Sequence, residues 1–147
     1  MPGEKDYTNE AVAMFTRFAG RHGLQWVDTQ EKNVEVLWDF PVQPGLHHEI
    51  SLGLQNLDEI NVVFPRMGIT FFFPFPKVEA EVDGYLDLWM RGEARVSFRR
   101  RGFLGFGSFH ALEILRADGT WEIVYRAFTL FARDQEGEPV RNAGPGT

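Results

Sequence analysis

The sequence predicts an α+β fold, a mainly antiparallel sheet of about eight strands with helices packed on one face. Three observations lead there. Apolar residues recur with period two along most of the chain, as in half-buried strands. Clusters of turn-forming residues separate these stretches at hairpin spacing. The two stretches with helical period, about 7–22 and about 76–91, do not alternate with strands in the βαβ manner of a parallel sheet.

Residues 7–22 form the first expected helix. Thr8 or Asp6 can cap it, Glu10 lies in its first turn, and Val12, Phe15, Phe18 and Ala19 recur at helical spacing. Arg21 and His22 suit the negative end of the helix dipole, and Gly23 can take the left-handed stop. From Leu24 the period becomes two, with β-rich stretches at 24–29 and 33–40 split by a turn at Gln30–Asn33. Pro41–Gly45 breaks the chain. Between His47 and Leu54 the residues His48, Ile50, Leu52 and Leu54 share one face, and His47, Glu49, Ser51 and Gly53 the other. A turn at Asn56–Glu59 leads to the run Ile60–Phe64, and the Pro65–Gly68 loop leads on to Ile69–Phe73.

Residues 76–91 fit both periods. Val78, Val82, Leu86 and Trp89 make one helical face, whereas Val78, Ala80, Val82, Leu86, Leu88 and Met90 also satisfy alternation. Pro76 at the start, Glu79 and Glu81 early, Arg91 late and Gly92 as a stop favour a helix, and Gly84 counts against it. Strands follow at Ala94–Arg100, Ser108–Leu115 and Trp121–Ala132, the last two joined by the strong hairpin signal Asp118-Gly119. The 147 residues suit one domain, 1–147, with flexible ends at 1–5 and 134–147. The absence of cysteine removes disulfides, thiolate metal sites and cysteine nucleophiles, and suits a reducing compartment. With no basic leader and no long apolar run, the expected location is the cytoplasm, with no membrane partner.

The stretch Arg99–Phe109 is similar to the RNP1 octamer of RNA-recognition motifs, in which a basic residue, glycine and alternating aromatics present stacking rings. Leu104 is an insertion relative to that pattern and turns every later ring to the opposite face. The formal net charge of −6 also opposes a phosphate backbone, so nucleic acid is disfavoured as a partner. Arg95, Arg99 and Arg101 share a strand face and can clamp an anionic small molecule, or else pair with acids of the chain itself.

His47-His48-Glu49 invites a metal reading, with His110, Asp39 and His22 as distant third ligands. Neighbours on a strand face opposite ways, however, and no metal-binding spacing is present, so neither a metal nor another cofactor is expected. Asp39, His48 and His110 are the candidate general bases, with Glu49 and Glu113 in similar apolar strand contexts. Asp39 ranks first, because its neighbours Leu37-Trp38 and Phe40-Pro41 are apolar. Phe71, Phe73 and Phe75, with Trp89, are the candidates for an interface or an apolar pocket, since alternation can bury only half of so dense a run of rings.

The favoured expectation is a non-catalytic protein- or ligand-binding domain, homodimeric through a sheet edge or the phenylalanine run. The rival is a small pocket enzyme acting on an apolar or carboxylate-bearing molecule, with Asp39 or a histidine as base and Arg99 as anchor. In size and aromatic content the chain is similar to cone-shaped domains of the NTF2-like kind, although those have more N-terminal helices. That resemblance implies a curved sheet enclosing a pocket. Convergence of Asp39, His48 or His110 with an arginine on one cavity separates the two functions.

Overall fold

The computed structural model describes residues 5–99, 108–129 and 138–142. In chain order the elements are α1 (Thr8–His22), β1 (Val27–Asp28), β2 (Val36–Phe40), β3 (Ile50–Gln55), β4 (Glu59–Phe64), β5 (Gly68–Phe72), α2 (Phe75–Met90), β6 (Ala94–Arg99), β7 (Ser108–Leu115), β8 (Trp121–Thr129) and β9 (Val140–Arg141). The fold is α+β with antiparallel pairing throughout. The strands divide into two sheets, a five-stranded meander β1-β2-β3-β4-β5 and a four-stranded sheet in the order β8-β7-β6-β9.

Helix α1 begins where the Asp6 carboxylate accepts hydrogen bonds from the amide and hydroxyl of Thr8. It ends at Gly23, whose φ of 63° lets the Leu24 amide turn back to the Ala19 carbonyl. Met14, Phe15 and Phe18 point into the core. Between α1 and the end of β5, alternation buries Trp38 and Phe40 of β2, Ile50, Leu52 and Leu54 of β3, Ile60, Val62 and Phe64 of β4, and Phe72 of β5. The two helices cover this inner face. It is packed with side chains at the place where a cone-shaped domain would have its pocket.

The helical reading of 76–91 is the observed one, displaced by one residue to Phe75–Met90. Val82, Leu86 and Trp89, spaced for a helix, are fully buried, whereas Ala80 of the alternating set is exposed. Gly84 lies on the exposed side, so it costs helix propensity, roughly 1 kcal/mol relative to alanine, without disturbing the packing. A polar ladder ties α2 to α1: ion pairs of Arg17 with Glu79 at 2.9 Å, of Arg21 with Asp83 at 2.6 Å and of Arg21 with Asp87 at 3.0 Å, and a hydrogen bond between His22 and Asp87 at 2.7 Å. Burial alone would raise the pKa of Asp87, but hydrogen bonds from His22 and Arg21 outweigh it and hold the carboxyl below its ordinary value.

Three details differ from the sequence reading. The β-rich stretch 24–29 contracts to Val27–Asp28, two exposed residues at a sheet edge. Among the described residues the strands, expected to be about eight, number nine and form two sheets, because the composition of the last segment hides a strand. Within 134–147, where charge, glycine and proline predict fraying, Val140–Arg141 pairs with β6 as β9 and Asn142 is fully buried. Asn142 joins three parts of the chain. Its Oδ1 accepts from the His47 amide at 2.8 Å, and its Nδ2 donates to the carbonyls of Gly45 at 2.8 Å and Met90 at 3.0 Å. A second junction links the sheets, where the Phe71 amide donates to the Tyr125 hydroxyl at 3.0 Å and the Phe72 ring lies 5.1 Å from that of Tyr125. Among the described residues, no helix is long and apolar enough to cross a membrane.

Candidate functional site

The outer face of the five-stranded sheet carries the alternate positions: Leu37 and Asp39 of β2, Ser51, Gly53 and Gln55 of β3, Glu59, Asn61 and Val63 of β4, and Ile69 and Phe71 of β5. Strand register sets their neighbours. Asp39 lies opposite Ser51, Ser51 opposite Val63, and Val63 opposite Ile69, so one row crosses four strands. At its acidic end the Asp39 carboxylate is held by two hydroxyls. Thr29 Oγ1 donates to Oδ2 at 2.6 Å and Ser51 Oγ donates to Oδ1 at 2.6 Å. These donors orient the carboxylate without neutralising it.

Above the row is a groove of about 320 Å³. Val34, Leu37, Val63 and Ile69 form its apolar walls, and Glu31, Asp39, Ser51, Gln55 and Asn61 supply its polar groups. Gly53 lies beneath tight packing, because a Cβ at this position would come within 3.1 Å of the Val36 carbonyl oxygen and 3.4 Å of the Leu37 side chain. Leu37 and Val34 therefore lie close over the glycine backbone and bring the wall down onto the sheet. Beyond Ile69 the apolar surface continues along and past β5, where Ile69, Phe71 and Phe73 are 53%, 43% and 63% exposed.

The phenylalanine run thus divides by its alternation and by the start of α2. Phe71 and Phe73 face solvent. Phe75 stacks on Tyr7 with ring centroids 5.2 Å apart, and Trp89 packs against Phe64 at 5.1 Å. Both are essentially fully buried, so these two candidates belong to the core and not to an interface or pocket surface. Helix formation from Phe75 onward takes the third ring out of the strand's alternation.

The arginines of β6 are occupied within the chain. Arg95 Nε donates to one oxygen of Glu113 at 2.8 Å and Arg99 to the other, and the Arg95 guanidinium lies 4.1 Å from the centre of the Trp121 ring. The Glu113 side chain has no solvent exposure. Burial pushes its pKa up, but the two guanidiniums outweigh this and hold it below the ordinary glutamate value. Arg101 lies outside the described residues. The β6 pair is therefore filled by an internal carboxylate, the alternative that the sequence had left beside an anionic ligand.

The histidines are dispersed. His47 and Glu49 are exposed and His48 half-buried ahead of β3, and His22 belongs to the α1–α2 ladder. His110 of β7 is buried with its ring 5.4 Å from that of Phe98, and lines a void of about 10 Å³ together with Arg66, Glu138 and residues of β6 and β9. The groove at Asp39 is lined by neither histidine nor arginine. His110 does meet an arginine, Arg66, on its void, but about 10 Å³ is space for a single water and not for a substrate. Among the described residues no three metal-ligating side chains gather.

Of the residues that line the groove, sequence reasoning singled out only Asp39 as a candidate, and it missed Ser51 and Asn61 as well as Thr29, which donates to Asp39 from outside the lining. Alternation puts Ser51 on the outer face, but its partnership with Asp39 becomes visible only once the register of β2 on β3 is known. Compared with known proteins, the chain matches no family model, no curated protein and no solved structure.

Proposed function

We propose that this chain is a cytoplasmic, non-catalytic binding domain that engages another protein through the outer face of its five-stranded sheet. One observation carries the reading. The outward positions of β2 to β5 include no lysine or arginine and instead present Leu37, Val63, Ile69 and Phe71, with Phe73 beyond them. A sheet face that serves only to meet water is normally rich in long charged side chains, and a contiguous apolar strip with a polar surround marks an interaction surface. The groove supports binding over catalysis, because Asp39 is braced by hydroxyls and shares its groove with no imidazole or guanidinium to complete an acid–base pair.

A photo-reactive residue installed at position 71 tests this, with position 77, exposed on α2, as the control. Adducts at 71 and none at 77 support the face as the binding surface. Equal labelling at both positions, or none at 71, refutes it.

A homodimer is the second reading, favoured by the row Ile69, Phe71 and Phe73, which can pair with its own copy about a two-fold axis. The β5 edge is the weaker route to it, because the Tyr125 hydroxyl already takes the Phe71 amide. Light scattering across a range of concentrations decides: a dimer that Phe71→Asp turns into a monomer supports self-association, and a monomer throughout rejects it.

A further inference from the structure

The walls and charge of the groove specify more than an apolar partner. Asp39 lines the same groove as Leu37, Val63 and Ile69, at the opposite end of the row from Ile69, so a segment that fills the groove along the whole row also removes the Asp39 carboxylate from water. Burying a carboxylate without a compensating charge is strongly unfavourable. Thr29 and Ser51 orient both oxygens but bring no charge, and among the described residues Asp39 has no ion pair. Each oxygen keeps acceptor capacity for a further donor. Glu31 adds a second acidic group at the rim, and no basic residue lines the groove.

Resting on the reading of this face as the binding surface, we infer that the groove takes a lysine or arginine side chain from a segment of another protein, with neighbouring apolar residues of that segment lying along Ile69 and Phe71. A cation on a methylene stem suits the site, because the stem can pack on Val34, Leu37 and Val63 while the head reaches Asp39. A peptide fits better than a small free amine. The apolar surface runs on from the groove over Phe71 and Phe73, which an amine filling the groove would leave uncovered. The segment crosses the face and does not extend the sheet, since the Phe71 amide on the β5 edge is bonded to Tyr125. A second copy docked face to face about a two-fold axis would bring the same outward set, which contains acids and no cation, so it leaves Asp39 buried and unmatched.

The test is selection of a display library of random dodecapeptides on the intact chain, followed by titration of the enriched peptides. The expected result is enrichment of lysine or arginine beside large apolar residues, with affinity about tenfold weaker for Asp39→Asn. Replacing the basic residue of the peptide by glutamine should cost a similar factor. Applied together, the two changes should weaken binding little more than either alone, because both remove one contact. The peptide-side substitution keeps the test decisive even where Asp39→Asn fails to fold.

Enriched peptides that lack a basic residue but lose binding with Ile69→Asp would overturn the inference and leave the face reading standing. Enriched peptides indifferent to both Ile69→Asp and Asp39→Asn would overturn both. An empty selection also overturns the inference, and a dimer abolished by Phe71→Asp in that case assigns the face to a second copy.

Discussion

Asn142 offers the sharpest test of the architecture, because a residue in a segment of tail-like composition makes three hydrogen bonds to two distant parts of the chain. Asn142→Ala removes all three. At a net value of about 1 kcal/mol each the loss reaches roughly 3 kcal/mol, reduced toward 2 because the His47 and Gly45 groups lie near solvent and can recover water. The Met90 carbonyl has less access, since its bond to Asn142 is fully buried. Against a typical domain stability of about 5–15 kcal/mol this is a large fraction, and it corresponds to a fall in Tm of roughly 5–10 °C. Asn142→Asp should be worse at pH 7. It replaces the donating nitrogen by an oxygen that faces two carbonyls at 2.8 and 3.0 Å, and it buries a charge. That new carboxyl should have a raised pKa, so the deficit of the variant relative to the parent should shrink as pH falls toward 4. Urea unfolding of the parent and both variants at pH 7 and pH 4.5 measures this directly. A loss below about 0.5 kcal/mol for Asn142→Ala, or an aspartate no worse than the alanine at pH 7, would refute the junction.

Glu113→Gln should cost about 2 kcal/mol at neutral pH, less than for a fully enclosed pair because both arginines retain some solvent contact. The sign follows from its depressed pKa. The stabilisation is fully present above the ordinary value of 4.5 and is lost as pH falls through the lower folded value, so parent and variant should converge in acid; parallel pH–stability curves would count against the pair. Phe75→Ala should lose about 3–5 kcal/mol as a core truncation while Phe73→Ala changes stability by no more than about 0.5 kcal/mol, and comparable losses in urea unfolding would contradict the division of the phenylalanine run. Gly53→Ala should lower stability by about 1 kcal/mol as Val36 and Leu37 give way to the added methyl, with a neutral thermal melt as the contrary result.

The elements that were legible in the sequence are those specified by local chemistry. Helix α1 carries its stop at Gly23, and the hairpins at Pro65–Gly68 and Asp118-Gly119 carry glycines suited to a positive φ, observed at Gly68 and Gly119. Helix α2 satisfied two periods, and its burial against the first sheet decided between them, a tertiary effect that no window of sequence contains. The tail went unrecognised for the same reason, since two residues paired to β6 and one buried asparagine leave no periodic trace. Asp39 stood out because it follows Leu37-Trp38, yet its hydroxyl partners are Thr29 just past β1 and Ser51 of β3, and its groove exists only after β2, β3, β4 and β5 have aligned. Likewise Phe71, Phe73 and Phe75 are equivalent in sequence and separate only where α2 begins.

Two carboxylates on strands, Glu113 buried and Asp39 half-buried, differ in what answers their charge. Glu113 is enclosed, and two guanidiniums on the neighbouring strand answer its charge, so the same chain satisfies it whether or not a ligand is present. Asp39 is held with comparable geometric care, but by Thr29 and Ser51, which fix its direction and leave its charge. Had Asp39 served the fold alone, an arginine at position 51 or 63 could have answered it as Arg95 and Arg99 answer Glu113. On the proposed reading, hydroxyl bracing instead keeps the carboxylate oriented in water and preorganised for a cation that arrives from outside, so less ordering is required at the moment of binding. The surrounding apolar walls then act as a filter. A partner that covers them without a cation must leave Asp39 unmatched, and one that brings a cation without apolar flanks gains little from Ile69 and Phe71.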